Sequence, residues 1–291
     1  MREYLAAFFE EFGYDTNDAD ALIAVYDKIT SDYKTKSILD NILSEYEKNI
    51  RFDYEKNVFE RTREISELLS IHNFTVDLLI FICMSKHLKN EYDLRKIDLQ
   101  IYKDSMLDLK YKLDECKIVK GICGSFVAPW FNGFFDLTRF AFGRLQFEVI
   151  KTWQDYEKHG VKLIAGKSKV INVHIPRTGT PLDKESCDKA YARAREFFKD
   201  EVGENGAFVC FSWLMYPGTF NIIPKNSNTY RFVSEYDIIG SEDNDGDDLW
   251  RLFDTDEKNP DMLPCDTSMR RAFVDHIKTG GRLGNGFGVK I

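Results

Sequence analysis

Proline is missing from the first part of this sequence. The whole chain has 291 residues, and its first proline is Pro129. Proline removes a backbone hydrogen-bond donor and breaks helices, so its absence favours a long helical region. Apolar residues three and four positions apart recur along this region and predict a helix in each of several segments. These segments are residues 2–13, 18–30, 33–52, 54–70, 74–88 and 93–113.

An excess of positive charge is also missing. The chain has 40 lysines and arginines against 48 aspartates and glutamates, which gives a net charge of -8 and a pI of about 5.3. A protein that binds nucleic acid regardless of sequence needs a basic surface, so we expect no nucleic-acid partner. No apolar run is long enough to span a bilayer, and the N-terminus has no signal-peptide core. We therefore expect a cytoplasmic protein with no membrane partner.

The six cysteines lack the spacing of a metal site. None belongs to a C-x-x-C pair, and none has a histidine at metal-ligand spacing. We therefore expect free thiols and no bound metal. The cysteines are Cys83, Cys116, Cys123, Cys187, Cys210 and Cys265.

The helical pattern ends in an aromatic-rich stretch between Gly121 and Phe147. An aromatic cluster at a change of pattern is typical of packing, and the acidic net charge makes a base-stacking platform the weaker interpretation. We place a domain boundary here. The prediction is an all-helical N-terminal domain at residues 1–140 and a second domain at residues 141–291.

The second domain carries the signals of strands. Residues 145–150 and 228–239 alternate between apolar and polar side chains, as half-buried strands do. Further short strands are predicted within residues 161–175 and at 287–291, and helices at 247–253 and 266–279. The predicted fold class is α+β, with an all-helical domain followed by a mixed α/β domain.

A strand-helix-strand unit lies at the centre of the second domain. It consists of a strand at residues 170–176, a helix at 183–200 and a strand at 208–213. Strands joined by a crossover helix run parallel, so their carboxyl ends lie side by side, and ligands bind at that edge in open α/β sheets. We therefore expect an active site near His174 and Ser212.

The loop after the first of these strands has the composition of an anion site. Arg177, Thr178, Gly179 and Thr180 lie between a strand and a helix N-terminus. They offer a cation, two hydroxyls and a glycine that lets a ligand approach the backbone. Many strand-to-helix turns share this composition without binding an anion, so both interpretations stay open.

Four short motifs, taken in order, resemble a family of bacterial acyltransferase-domain proteins. The motifs are Val173-His-Ile-Pro176, Cys210-Phe-Ser-Trp-Leu214, Arg231-Phe232 and Asp266-Thr-Ser-Met-Arg270. Members of this family pair a helical N-terminal domain with a C-terminal domain like that of the GNAT N-acyltransferases, and the likeness covers essentially the whole chain. It implies transfer of an acyl group from acyl-CoA, the co-substrate, to an amine or another small-molecule acceptor.

The resemblance also implies roles for the candidate residues. The loop after the strand would hold the CoA pyrophosphate, His174 would deprotonate the amine, and Ser212 or Tyr216 would orient the substrate or protonate the leaving thiolate. Two features depart from the GNAT pattern. The loop differs in spacing from Arg/Gln-x-x-Gly-x-Gly/Ala, and the usual acidic general base is not identifiable.

Two other functions fit the same residues. A GNAT-like domain without catalysis would be a ligand-binding or scaffold protein, and the irregular loop and missing acidic base fit that view. A hydrolase or thioester-forming enzyme would use Cys210 as the nucleophile and His174 as the base, although no nucleophile elbow surrounds the cysteine.

Overall fold

The computed structural model describes residues 1–152, 155–158 and 161–291. The chain divides into two compact units, Met1–Phe140 and Ala141–Ile291. The first unit is helical and the second is built on a mixed sheet, so the predicted α+β fold class is confirmed.

Long helices make up most of the first unit. A five-residue π-helical turn, Glu55–Phe59, leads directly into the fourth helix, and a 3-10 turn, Ala128–Phe131, leads into the seventh. The helices are α1 (Arg2–Glu11), α2 (Thr16–Ser31), α3 (Tyr33–Lys48), α4 (Glu60–Leu69), α5 (Asn73–Leu94), α6 (Leu99–Lys120) and α7 (Asn132–Phe135).

Helix α5 forms the centre of this unit. Its residues from Val76 to Ser85 are all buried, which agrees with a segment that is apolar nearly all round. The Phe81 ring lies 5.3 Å from Phe131 and 4.9 Å from Phe135 between centroids. The aromatic residues around position 131 therefore pack into the helical core, as the sequence favoured.

Several helix boundaries were predicted wrongly. The helix expected at residues 33–52 ends at Lys48, the one expected at 74–88 continues to Leu94, and the one expected at 93–113 runs from Leu99 to Lys120. Asp98 caps α6, since its carboxylate accepts a hydrogen bond of 2.9 Å from the Gln100 N–H. Across the described residues, no helix is long and apolar enough to cross a membrane.

The second unit contains a six-stranded sheet in the order β1-β2-β5-β6-β8-β7, and a separate hairpin of β3 and β4. Its strands are β1 (Arg139–Phe142), β2 (Leu145–Lys151), β3 (Tyr156–Lys158), β4 (Val161–Ile164), β5 (Lys169–His174), β6 (Phe208–Ser212), β7 (Asp237–Asn244) and β8 (Leu283–Lys290). Its helices are α8 (Lys184–Val202), α9 (Pro217–Ile222), α10 (Asn228–Ser234), α11 (Trp250–Phe253) and α12 (Ser268–Lys278).

The strand predicted at residues 228–239 is wrong in its first half, which forms α10. Ser227 caps this helix, since its hydroxyl accepts from the Tyr230 N–H at 3.1 Å. Arg231 and Glu235 add an ion pair of 2.5 Å at the i,i+4 spacing of a helix. Aromatic and β-branched residues gave the segment a strand-like composition, and the cap and the ion pair favour the helix.

The two faces of the sheet have different covers. Tyr191 of α8 packs on Phe208 and Phe147, with ring centroids 4.8 and 5.9 Å away. Tyr156 and Ile164 of the β3–β4 hairpin belong to a separate apolar cluster on the sheet, with Val170, Val209, Phe287 and Val289. Successive side chains of a strand point to opposite faces. We call the two sides the helix face and the hairpin face.

Asp77 of α5 makes the stability of the protein depend on pH. Burial raises the pKa of this carboxyl to about 6, although the Thr62 hydroxyl donates to it at 2.5 Å. Because the folded pKa lies above the unfolded value, this contribution to stability is complete below about pH 4 and is lost as the pH rises through 6. As the pH rises from 4.5 to 7.5, the unfolding free energy of Asp77→Asn should increase relative to that of the wild type by on the order of 2 kcal/mol. Urea unfolding at several pH values measures this gain.

Asp27→Asn is the matched control, because Asp27 is half exposed and pairs with Arg2 on the surface. Parallel pH dependences for the wild type and Asp77→Asn would contradict the assignment.

Candidate active site

The parallel ladder between β5 and β6 is short. Its register pairs Ile171 with Phe208 and Asn172 with Val209, while β5 continues to His174 and β6 to Ser212. On its other side, β6 pairs with β8 as far as Ser212 and Gly286. The ladder thus stops before the ends of its two strands, so the strand ends can diverge and admit a ligand between them.

Backbone polar groups line the edges of this opening. Ile171 donates its N–H to the carbonyl of Ala207 on the β6 side. Since N–H and C=O groups alternate in direction along a strand, those of Val173 also point to the β6 side, where its N–H belongs to the Asn172–Val209 pair and its C=O lies past the last pair. By the same alternation, the N–H of Phe211 points from β6 towards β5. The Val173 C=O and the Phe211 N–H are groups that could hold a substrate carbonyl or amide between the two strands.

His174 belongs to a polar cluster on the hairpin face. Its Nε2 lies 2.7 Å from Glu148 Oε1, and the Asn172 side-chain amide donates to the same oxygen at 3.2 Å. The histidine and the glutamate are each about one-fifth exposed. The Glu148 carboxylate favours a proton on Nε2, although the Asn172 side-chain nitrogen also lies 3.2 Å from that atom. In the tautomer with Nε2 protonated, the ring's lone pair is on Nδ1.

Glu148 and Asn172 were missed as site residues in the sequence. Glu148 lies on β2, where it pairs in register with Asn172, and the next pair on the same face joins Gln146 to His174. The only sequence signal was the polar residue at an alternate position of the 145–150 strand. The register that brings it beside His174 depends on tertiary pairing.

Cys210 and Ser212 lie on the helix face, opposite His174. Val209 pairs with Asn172, so their side chains lie on the same face as that of His174. Side chains alternate along β6, so those of Cys210 and Ser212 lie on the opposite face. The Ser212 hydroxyl accepts from the Leu214 N–H at 3.2 Å and caps the 3-10 turn Trp213–Met215. Burial raises the pKa of the Cys210 thiol to about 12. A Cys210–His174 nucleophile pair therefore has no support in this geometry.

Tyr216 follows the same turn and is buried. Its hydroxyl donates to Asp243 at 2.7 Å, and Arg282 donates to the other oxygen of that carboxylate at 2.7 Å. The hydrogen bond to Asp243 and burial raise the pKa of the tyrosine. In this arrangement the phenol proton is engaged by Asp243, so donation to a substrate requires the Tyr216 hydroxyl to change its partner.

Two arginines fix the loop at residues 176–182. Arg144 donates to the carbonyl of Pro176 at 2.9 Å and to that of Pro181 at 3.1 Å. Arg231 donates to the carbonyl of Leu182 at 2.8 Å. These contacts hold carbonyl groups at both ends of the loop. Sequence reasoning missed the role of Arg144, because the residue precedes the loop by more than thirty positions.

The loop itself is open to solvent. Gly179 has a φ of +73°, and a side chain added there would meet nothing within 4 Å. The hydroxyls of Thr178 and Thr180 lie 2.7 Å apart. Asp183 caps α8 by accepting from the Ser186 N–H at 2.9 Å, so the first turn of this helix is already capped by a carboxylate. An anion would therefore bind at the loop rather than at the helix end.

Arg177 of the loop forms an ion pair with a residue far along the chain. It pairs with Asp254, which lies just after α11 and also accepts from Arg270 of α12 at 2.6 Å. The Arg177 side chain is 40% exposed. The predicted loop residues thus lie together, and Arg177 has a carboxylate partner that an anionic ligand would have to replace.

Comparison with known domain families gives two matches. The N-acyltransferase N-terminal domain matches residues 3–137, and the GNAT-like C-terminal domain matches residues 139–290. Among curated proteins, none matches the chain significantly.

Solved structures of acyltransferases share this fold over nearly the whole chain. An acyltransferase in complex with decanoyl-CoA is 19% identical with a TM-score of 0.73, covering 98% of this chain and 86% of its own. An acyltransferase mutant in complex with octanoyl-CoA is 18% identical with a TM-score of 0.74, and the match covers 99% of this chain and 87% of the mutant. A complex of an acyltransferase with CoA and 10C-teicoplanin is 18% identical, with a TM-score of 0.64 and 98% coverage of both chains.

The order of the domains agrees with the resemblance seen in the sequence. The GNAT-like model alone spans more than half of the chain, and the two models together leave only a few residues unmatched. The chain belongs to the family that joins an N-acyltransferase N-terminal domain to a GNAT-like C-terminal domain.

Proposed function

We propose that this protein transfers an acyl group from acyl-CoA to an amine. The observation that carries the proposal is the coincidence of the short parallel ladder with the Glu148–His174 pair at the same edge of the sheet. The first feature offers a place for the thioester and the second a base for the attacking amine. The acyltransferase structures with bound acyl-CoA support the choice of donor.

The chemistry divides between the two faces of the sheet. On the hairpin face, the amine nitrogen attacks the thioester carbon, and Nδ1 of His174 takes the proton that the nitrogen loses. Glu148 stabilises the imidazolium that results. A C–N bond forms, the C–S bond breaks, and the CoA thiolate leaves. The products are an amide and CoA, whose sulfur takes up one proton.

Backbone groups at the opening would stabilise the transition state. The negative charge that develops on the thioester oxygen requires hydrogen-bond donors that are already in place. The Phe211 N–H on β6 points towards this opening by the alternation of the strand. Ser212 and Tyr216 lie on the helix face and remain candidates for orienting the thioester or returning a proton to the thiolate.

The loop of residues 177–180 would hold the pyrophosphate of CoA. Its Gly179 backbone is open, and the Thr178 and Thr180 hydroxyls are close to each other. Arg177 supplies a guanidinium at the surface. Arg177 is 40% exposed and Asp254 keeps Arg270 as a partner, so a pyrophosphate can replace Asp254 on Arg177 at small cost. The predicted cytoplasmic location belongs to the same proposal.

Binding of acyl-CoA should raise the thermal stability of the protein. A ligand at ~100 times its dissociation constant stabilises the folded state by roughly 2.7 kcal/mol, which corresponds to several degrees in Tm. We expect shifts with CoA and with acetyl-, octanoyl- and decanoyl-CoA in a thermal unfolding assay. ATP is the control, because it carries adenine and phosphates without the pantetheine arm. If no CoA species moves Tm more than ATP does, a non-catalytic domain becomes the better description.

Removal of the base should slow turnover. His174→Ala should lower kcat by ~10²-fold or more, since a general base contributes about that factor. Glu148→Gln should lower kcat by roughly tenfold and move the acid limb of the pH-rate profile to lower pH, because a neutral partner stabilises the imidazolium less. Steady-state kinetics from pH 5 to 9 provide both readouts. His276→Gln on α12 is the matched control, and a His174→Ala variant with the wild-type profile would contradict the role.

Loss of the arginines that hold the loop should weaken acyl-CoA binding. Arg144→Gln and Arg231→Gln should raise KM for acyl-CoA by about tenfold, since each removes charged hydrogen bonds to loop carbonyls. We expect kcat to change much less, because neither side chain belongs to the His174 cluster. Arg231→Lys should recover part of the affinity. Arg251→Gln on α11 is the control, and an unchanged KM in both loop variants would show that these arginines do not prepare the loop for CoA.

A further inference from the structure

Phe211 is 45% exposed on a strand in the interior of the sheet. Its strand, β6, lies between β5 and β8. The other large apolar side chains exposed among the described residues lie on helices, on the edge strand, in a turn or at the C-terminus: Tyr33, Leu68, Leu94, Leu99, Ile118, Ile238, Met262 and Ile291. A single exposed apolar residue is ordinary on a surface. Phe211 is unusual because it is exposed on a strand that has a neighbouring strand on each side.

Phe211 lies on the hairpin face, as His174 does, near the end of the adjacent strand. Asn172 pairs with Val209, and if the register were continued by two residues along each strand, His174 would lie opposite Phe211. Neighbouring strands lie ~4.8 Å apart where they are paired, and these two ends lie beyond the paired region. A single small molecule can therefore touch the phenylalanine ring and the histidine together.

Among the described residues, the apolar cluster on the hairpin face does not include Phe211. Val209, two residues earlier on β6, is fully buried in the cluster with Tyr156 and Ile164. Phe287, the partner of Phe211 on β8, is also buried in that cluster. The ring of Phe211 thus lies at the border between a covered apolar surface and the polar cluster of Glu148, Asn172 and His174.

We propose that Phe211 is a stacking platform for the acceptor. The acceptor class that fits is an amine with a flat apolar face, an aromatic ring or the C–H face of a sugar, within two or three bonds of the nitrogen. The amine arrives as the ammonium ion, which the Glu148 carboxylate attracts and which releases one proton to water before the attack. The face of Phe211 attracts the adjacent ring and the cation. This proposal rests on the acyl transfer proposed above and specifies its second substrate.

A panel of acceptors tests the proposal, with octanoyl-CoA as the donor. 2-Phenylethylamine represents aromatic amines, glucosamine represents amino sugars, and putrescine is an amine without a flat face. We expect kcat/KM for at least one of the two flat amines to exceed that for putrescine by tenfold or more. Stacking on an aromatic side chain commonly contributes this much or more.

Variants of Phe211 give the second measurement. Phe211→Ala should raise KM for the preferred flat amine by about tenfold and leave the Kd of octanoyl-CoA unchanged, while Phe211→Trp should keep the low KM. Ile238→Ala is the matched control: Ile238 is 36% exposed and pairs with Gly288, which also pairs with Cys210 of the helix face. A stability defect alone would change both substrates and would not depend on the shape of the acceptor.

The outcomes separate this proposal from the proposed function. If octanoyl-CoA binds and acyl transfer occurs, but putrescine is the best acceptor or Phe211→Ala leaves every acceptor KM unchanged, the stacking platform is overturned and acyl transfer stands. A preference for phenylethylamine or for glucosamine identifies the aromatic or the sugar source of the flat face. If octanoyl-CoA neither binds nor reacts with any amine, both proposals are overturned.

Discussion

The short parallel ladder between β5 and β6 is the constraint on which the site depends. Two residue pairs hold these strands together, and the α8 crossover between them forces them to be parallel. A longer ladder would join the Val173 carbonyl to the Phe211 N–H within the sheet and leave neither for a substrate. A shorter one would not fix the distance between His174 and the second strand. The proposed binding of substrate and the stability of the fold would therefore place opposite requirements on the same hydrogen bonds.

The alternation of side chains turns this opening into a site with two sides. His174 and Glu148 lie on the hairpin face, while Ser212 lies on the helix face with α8. An amine that attacks from one side of a thioester loses its proton on that side, and the thiolate leaves towards another direction. Groups on opposite faces can therefore serve the two ends of the reaction without contacting each other. The separation of His174 from Ser212 thus agrees with acyl transfer and disagrees with a nucleophile–base pair.

Local sequence signals predicted the elements of this fold better than the relations between them. The βαβ unit was predicted because its apolar strands and amphipathic helix are each readable along the chain. The helix within residues 228–239 was not predicted. The segment has a strand-like composition, while the Ser227 cap and the Arg231–Glu235 pair stabilise a helix. Glu148 was missed for a different reason. Its role depends on which residue of β5 lies opposite it, and strand register cannot be read from one strand alone.

The arginines around the loop illustrate two ways in which one residue type can serve an anion site. Arg144 donates to two loop carbonyls, and Arg231 donates to one and pairs with Glu235, so both side chains shape the loop and are already engaged. Arg177 instead pairs with a carboxylate near the surface, and such a pair exchanges partners readily. In the proposed site, a preorganised loop and an exchangeable cation together would substitute for the glycine spacing of the usual pyrophosphate motif. The departure from that motif is therefore compatible with CoA binding, since the physical requirement is a fixed backbone beside an available positive charge.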